Sequence, residues 1–163
     1  MTRQRDPQWG ALACSAAATA LTAVIGGYAS ISAQAYYGSL NQPTWAPPAS
    51  VFGPVWTLLY LMMCVAAWLV VRELGPRAAR PALALFGVQL VLNALWTWLF
   101  FRWHLGALAF VVVVVLFVMI ALTARAFWRA RRLAGWLMLP YLGWVGFASA
   151  LTLAVWQLNP GAL

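Results

Sequence analysis

Aromatic side chains recur at helical spacing in the segment FGPVWTLLYLMM, where Phe52, Trp56 and Tyr60 are each four residues apart. Residues at positions i, i+4 and i+8 of a helix share one face, so the three rings form a stripe. Such rings can stack on a flat apolar ligand, and an indole can give an electron to an oxidised or photo-excited ligand. Helix stripes of this kind more commonly pack against neighbouring helices, and the spacing alone favours that packing role.

The segment VQLVLNALW contributes two amide side chains, Gln89 and Asn93, with Trp96 on the same side of the helix. An amide in a hydrocarbon environment is costly unless it is hydrogen-bonded, so both amides are predicted to face the interior of a helix bundle. Two roles stay open for Asn93. It can hydrogen-bond between helices, a bond worth about 0.6 kcal/mol on average, or it can line a ligand cavity.

Two further sets of residues lie on single helix faces. Trp144, Ala148 and Leu151 share a face in GWVGFASAL, and the small Ala148 leaves room for a flat group one turn beyond the indole. Near the N-terminus, Ala23 and Gly27 are four residues apart, which is a weak signal for close helix packing.

Acidic, basic and imidazole groups are absent from the apolar segments that carry these side chains. The single histidine, His104, falls in a short connection and is predicted to face solvent. The pattern therefore disfavours ion-coupled transport, general acid–base catalysis and a metal site. It favours an apolar cavity with aromatic walls, which suits a flat hydrophobic ligand.

The composition determines which elements must position these residues. Hydrophobic residues make up 65% of the 163 residues and charged residues 7%, against about 25% charged in soluble domains. This is the composition of an integral membrane protein. Five apolar runs reach the roughly 20 residues that a membrane span requires. We expect an all-α bundle of five transmembrane helices in a single domain, residues 1–163, with helices at about 9–32, 52–71, 81–101, 105–127 and 133–157 and a proline-rich lid loop at 33–51.

The first apolar run has a second interpretation. TRQR before it and SAQAY after it resemble a secretory signal peptide, but the run is long for one, which favours a retained helix.

Arginines are concentrated on one side of the predicted bundle. All ten basic residues are Arg, and with five spans nine lie on the side of the N-terminus and only Arg102 on the other. The positive-inside rule then predicts a cytoplasmic N-terminus, with the first loop and the C-terminus outside. The arginines flank the apolar runs and form no single patch, so they indicate membrane lipid and not nucleic acid as the partner. Helical spans favour a bacterial cytoplasmic membrane.

Three motifs occur in order between residues 36 and 159: NQPTWAPPASVFGPVWTLLYLMM, QLVLNALW followed by FF, and PYLGW followed by FASAL. They resemble the translocator protein / tryptophan-rich sensory protein family, formerly called peripheral benzodiazepine receptors. The resemblance implies a five-helix bundle that forms a homodimer. It implies binding of protoporphyrin IX, haem-like tetrapyrroles, isoquinoline and benzodiazepine drugs and, in some members, cholesterol. No cofactor is required. Some members are assigned to bacterial outer membranes, which is the alternative location here.

The resemblance also implies a pocket capped by Trp45 in the first loop. The family's ligand-binding positions correspond to Trp45, Phe52, Trp56, Tyr60, Asn93, Trp96, Trp144, Ala148 and Leu151. Trp56 and Trp144 match two tryptophans linked to light-dependent porphyrin breakdown in bacterial members, and they are the catalytic residues if this chain performs that reaction. Thr152 stands where the family usually has Asn, and QLNPGAL at the C-terminus lacks the Tyr and basic residue of the proposed cholesterol signature.

Three functions follow from the resemblance. The first is a tetrapyrrole- and drug-binding protein that acts as a sensor, regulator or carrier of porphyrins. The second is an enzyme that degrades protoporphyrin IX oxidatively in light, using tryptophan. The third is a facilitative transporter of porphyrins or sterol-like lipids.

Overall fold

The chain folds into six α-helices within residues 9–31 and 33–163, which are the residues that the structure, a computed structural model, describes. The helices are α1 (Trp9–Ala29), α2 (Ala33–Ser39), α3 (Phe52–Leu74), α4 (Arg80–Thr97), α5 (Gly106–Ala130) and α6 (Arg132–Leu158). A 3-10 turn (Ala49–Val51) leads into α3, and a π-helical turn (Trp98–Arg102) extends α4. No β-strand occurs in the described part of the chain, so the predicted all-α class is confirmed.

Five of the described helices are long and apolar enough to cross a membrane, namely α1, α3, α4, α5 and α6. The chain is therefore an integral, multi-pass membrane protein. The segment predicted as a lid loop differs in one respect, because it contains the seven-residue helix α2. The first helix ends at Ala29, before the predicted end at residue 32, which lies outside the described residues, as do Arg3 and Arg5.

Proline and glycine mark several helix boundaries. Pro54 lies in the first turn of α3 and Pro81 in the first turn of α4, where a missing N–H is tolerated. Helix α3 ends at Leu74 and is capped by Gly75, whose φ of 81° is favourable only for glycine. The Gly75 N–H donates to the Val71 carbonyl at 2.8 Å. Helix α6 continues through Pro140 without a break.

The five long helices pack as a ring, which α1 closes by lying between α3 and α4. Helices α5 and α6 share the most extensive interface, α4 packs on α5, and α3 packs on α6. Helix α1 packs across α3 and α4. The ring interior is filled by large side chains such as Tyr141, Phe127 and Met63, all of them buried. The amides Gln89 and Asn93 are also buried, as their spacing predicts.

Candidate ligand-binding site

A half-enclosed cavity of about 380 Å³ lies between α1, the lid segment, α3 and the end of α4. Its volume is within the range of ligand pockets in proteins, about 300–1,000 Å³. The lining residues share a small or aromatic character and are Ala23, Gly26, Gly27, Ser30, Ala33, Tyr37, Ala49, Phe52, Gly53, Trp56, Thr57, Tyr60, Trp96, Thr97 and Phe101.

Small residues on α1 create one wall of this cavity. Ala23, Gly26, Gly27 and Ser30 fall at helical spacing on a single face. A Cβ added at Gly26 would make ordinary contact with Thr97, at 3.7 Å from its Oγ1, whereas a Cβ at Gly27 would meet nothing within 4 Å. The space therefore exists because α1 presents almost no side chain toward α3.

The aromatic stripe of α3 forms the opposite wall. Phe52, Trp56 and Tyr60 all line the cavity, and Trp96 of α4 continues the aromatic surface. The Trp56 ring centroid lies 5.7 Å from that of Tyr60 and 6.2 Å from that of Trp96. These offset, tilted rings hold one another in place and offer π-surfaces to a ligand.

Two hydrogen-bond donors of the cavity wall have no partner. The Tyr37 hydroxyl and the Trp96 Nε1–H are buried and make no hydrogen bond, although both residues line the cavity. Burial raises the pKa of the Tyr37 phenol above its ordinary value, so the group stays protonated and able to donate. By contrast, the hydroxyls of Thr57 and Thr97 donate to carbonyls of their own helices. An unpaired buried donor is costly, so a ligand acceptor that reaches either group after a side-chain shift would stabilise the complex.

The residue behind the aromatic wall is Asn93. The Tyr60 hydroxyl donates to Asn93 Oδ1 at 2.7 Å, and Asn93 Nδ2–H donates to the Tyr141 hydroxyl at 3.2 Å. Asn93 is 1% exposed and is not part of the cavity lining. Of its two open roles, the structure shows the interhelical one, since this chain of bonds joins α3, α4 and α6.

Contacts with two other parts of the molecule hold the lid segment. The Asn41 N–H donates to Asn159 Oδ1 at 2.9 Å, and Asn159 Nδ2–H donates to the Asn41 carbonyl at 2.9 Å. The Tyr36 ring stacks on His104 at a centroid distance of 4.0 Å, and the Tyr36 hydroxyl donates to the Ala162 carbonyl at 3.2 Å. Burial raises the pKa of the Tyr36 phenol. The lid is therefore tied to the α4–α5 connection and to the C-terminal end of α6.

Metal-binding groups do not cluster in this structure. No group of three His, Cys, Asp or Glu side chains comes together among residues 9–31 and 33–163. His104 is exposed, as predicted. The site offers apolar surface, stacking and hydrogen bonding.

The family model described as the TspO/MBR family matches residues 13–157. The chain belongs to the TspO/MBR family. It is 38% identical to the protein CrtK of Rhodobacter capsulatus over 128 residues, which are 78% of this chain and 80% of that protein. It is 40% identical to the tryptophan-rich protein TspO of Chlorobaculum tepidum, covering 77% of this chain and 80% of that protein. Identity to the translocator protein of Homo sapiens is 37%, with 77% of this chain and 76% of that protein covered.

In this TspO/MBR protein, four of the nine predicted ligand-binding residues line the cavity: Phe52, Trp56, Tyr60 and Trp96. The remaining five, Trp45, Asn93, Trp144, Ala148 and Leu151, are not in its lining. Their roles as ligand contacts stay predictions.

The tryptophans of the lid and of α6 pack against phenylalanine rings. The Trp144 ring packs edge-to-face on Phe52, with centroids 5.9 Å apart, and also lies 5.5 Å from the Phe147 ring. Trp45 packs on Phe147 at 5.7 Å and is 49% exposed. Ala148 and Leu151 are buried in the core. In this TspO/MBR protein, Trp144 thus contacts the cavity wall through Phe52 but is not itself in the lining.

The sequence did not predict that helix α2, which precedes the prolines of the lid, contributes a side chain to the cavity. Tyr37 was included in a segment predicted to be a loop, although it lies on α2 and lines the cavity. The paired tyrosines in QAYYGS, close to the aromatic stripe, were the signal that could have identified it.

Proposed function

We propose that this protein binds a flat, hydrophobic tetrapyrrole, protoporphyrin IX or a haem-like relative, in the cavity between α1 and α3. In this proposal it acts in the membrane as a sensor, regulator or carrier of that ligand. The observation that carries the proposal is the aromatic wall of the cavity, in which Tyr37 and Trp96 each carry a buried donor without a partner.

The chemistry of a tetrapyrrole matches both features. Its macrocycle is a wide π-surface that can stack on Trp56 and Trp96. Its edge carries carboxylate groups, which accept hydrogen bonds from neutral donors such as a phenol or an indole, and such charge-assisted bonds are strong. The cavity is only half enclosed, so a macrocycle can extend beyond the enclosed part.

The nature of the lining also supports binding without coupled ion movement. None of the described lining residues is acidic or basic, and a coupled transporter usually needs an ionisable group within the membrane. The relatives named tryptophan-rich sensory protein and translocator protein carry names of sensing and translocation, which agrees with a sensor or carrier role. Facilitated passage of the ligand is a further alternative, which flux into sealed vesicles tests.

The test introduces a large side chain on α1 that occupies the cavity. Gly27→Phe places a ring where a Cβ meets nothing within 4 Å, so it should exclude the ligand while leaving the helices in place. Gly143→Phe on α6 is the matched control, because it is equally open but outside the lining. Protoporphyrin IX is titrated into the purified protein, and quenching of tryptophan fluorescence is measured.

Gly27→Phe should weaken binding by about tenfold or more, since crowding a site costs about 1–3 kcal/mol. Gly143→Phe should bind like the unmodified protein. Equal affinity in all three proteins would show that the ligand lies elsewhere.

The enzymatic alternative is favoured by the position of Trp56. Its indole lines the cavity, so it could give an electron to a photo-excited porphyrin, with dioxygen as the oxidant. Trp144 packs on Phe52 and is not in the cavity lining. Illumination of the porphyrin complex in air should bleach the porphyrin bands if the reaction occurs. Trp56→Phe should then slow bleaching more than Trp144→Phe. Bound porphyrin that stays unchanged in light would exclude this alternative.

A further inference from the structure

A second groove lies on the outer face of the bundle, between the C-terminal half of α5 and α6, far along the chain from the residues of the ligand cavity. Its volume is about 440 Å³. The lining residues are Ala121, Ala124, Arg125, Trp128, Arg129, Leu139 and Leu142. It combines an apolar floor with a rim of two cations.

The apolar floor results from small side chains on α5 facing larger ones on α6. Ala121 and Ala124 leave a channel beside Leu139 and Leu142. At the nearby end of the two helices, a Cβ on Gly135 would lie only 2.8 Å from the Trp128 Cα. The helices are therefore in close contact at that end, with the channel alongside.

The rim carries positive charge that no acidic residue of the described chain neutralises. Arg125 and Arg129 are four residues apart on α5, and both are exposed. No ion pair of either guanidinium is present in the described part of the chain. The whole sequence contains only two acids, Asp6 and Glu73, against ten arginines. Most of the arginine charge must therefore be balanced by anions from outside the chain.

The position of the groove indicates what supplies those anions. Trp128 lines the groove, its ring lies 4.9 Å from that of Trp136, and the two are 37% and 58% exposed. Exposed tryptophans at the ends of spans are typical of the headgroup level of a membrane. A soluble anion would not use the apolar floor, whereas a lipid uses both parts of the groove.

We propose that this groove binds an anionic phospholipid. The headgroup phosphate accepts hydrogen bonds from Arg125 and Arg129, a pairing that guanidinium forks favour. One acyl chain lies along the floor formed by Ala121 and Ala124. Basic pockets between transmembrane helices are known to bind anionic headgroups. Because arginines outnumber acids in this chain, the groove has a positive charge that complements the phosphate.

The test compares two pairs of arginines at the same end of the bundle. The protein is stripped of lipid in neutral detergent and mixed with phosphatidylglycerol or with phosphatidylcholine of the same acyl chains, and native mass spectrometry measures the retained lipid. The double variant Arg125→Gln/Arg129→Gln removes the rim. The double variant Arg131→Gln/Arg132→Gln removes the same charge from residues outside the groove lining.

The unmodified protein should retain phosphatidylglycerol in preference to phosphatidylcholine. Retention of phosphatidylglycerol by the rim variant should fall about tenfold, equivalent to 1.4 kcal/mol of binding free energy. The control variant should lose less than about a third of that binding free energy. Equal losses in the two pairs would mean a diffuse attraction to the arginine end, and would overturn the proposed site.

A second variant tests the floor with every charge in place. Ala121→Trp fills the channel on the outer face of α5, so retention of phosphatidylglycerol should fall while porphyrin binding is unchanged. Full retention in that variant would overturn the proposal.

A thermal unfolding measurement separates a lipid from a free anion. Phosphatidylglycerol should raise the unfolding temperature of the protein, whereas inorganic phosphate should not. An equal increase would assign the site to a free anion and contradict a lipid.

Discussion

Asn93 shows how a single amide is used inside this membrane protein. Its oxygen accepts from Tyr60 and its nitrogen donates to Tyr141, so both ends of the amide are satisfied. Gln89, one turn away and equally buried, has no comparable partners. Its Oε1 is unpaired, and its Nε2 reaches only the Met63 sulfur, at 3.8 Å. The two amides look alike in the sequence but differ in what they contribute to stability.

Replacing each amide by leucine should separate these roles. Asn93→Leu leaves two phenols without their partner and should lower the free energy of unfolding by about 1–3 kcal/mol. Gln89→Leu removes an unpaired buried oxygen and should be neutral or stabilising. Unfolding in mixed detergent micelles measures both. Equal losses in the two variants would contradict the hydrogen-bonded role of Asn93.

The shared face of the three aromatic rings on α3 was predictable from the sequence, whereas the orientation of the Trp144 ring was not. The i, i+4, i+8 spacing places Phe52, Trp56 and Tyr60 on one face in any helix, and all three line the cavity. The direction of the Trp144 ring depends on how α6 packs on α3, and spacing along one helix carries no information about that packing. The structure places the ring against Phe52, 5.9 Å away, outside the cavity lining.

At the scale of elements, the lid and α1 determine whether a cavity exists. The spacing of Ala23 and Gly27 is only a weak signal for helix packing, yet Gly27 faces open space. A sequence reports that a residue is small, but whether a neighbour fills the space depends on the tertiary packing.

The five spans were predictable because continuous apolar runs of this length have few other stable structures. Helix α2 was missed because seven residues between breakers carry little periodicity.

The Asn41–Asn159 contact should control how readily the lid opens. Asn159→Ala removes two hydrogen bonds to the Asn41 backbone, so exchange of the lid amides and ligand dissociation should accelerate at least about fivefold. Asn41→Ala is the matched control, because only the backbone of Asn41 takes part. Hydrogen exchange by mass spectrometry is the measurement. Faster exchange in both variants, or in neither, would contradict this role of Asn159.

The close approach of α5 and α6 depends on a glycine. A Cβ at Gly135 would lie 2.6 Å from Trp128 Cε3 and 2.8 Å from its Cα, so Gly135→Ala must push the two helices apart. We expect a loss of about 1–3 kcal/mol in the free energy of unfolding. Gly143→Ala, on the same helix but facing open space, should be neutral or stabilising by up to about 1 kcal/mol. A Gly135→Ala protein as stable as the Gly143→Ala control would refute the close contact.

At the scale of the whole molecule, charge separates the two ends of the bundle. Arg72, Arg77 and Arg80 lie around the α3–α4 connection, four more arginines flank the α5–α6 connection, and Arg102 lies at the opposite end. We propose on this basis that the α3–α4 connection is cytoplasmic and the lid external. The homodimer implied by the family resemblance, the single-domain boundary and the choice of membrane stay predictions.

Labelling of single cysteines tests that orientation. In a protein whose Cys14 and Cys64 are replaced by serine, Ser39→Cys at the lid should react with a membrane-impermeant maleimide in intact spheroplasts. Arg77→Cys should react only after the membrane is opened. Both positions are exposed in the structure, so access through the membrane decides the result. The reverse pattern would invert the proposed orientation.

The position of the bound tetrapyrrole tests the central proposal most directly. A structure of the protein in complex with protoporphyrin IX should show the macrocycle between α1 and α3, against Trp56 and Gly27, with its carboxylates near the Tyr37 hydroxyl and Trp96 Nε1. A macrocycle lying instead between α3 and α6, against Trp144 and Ala148, or bound outside the bundle, would contradict it.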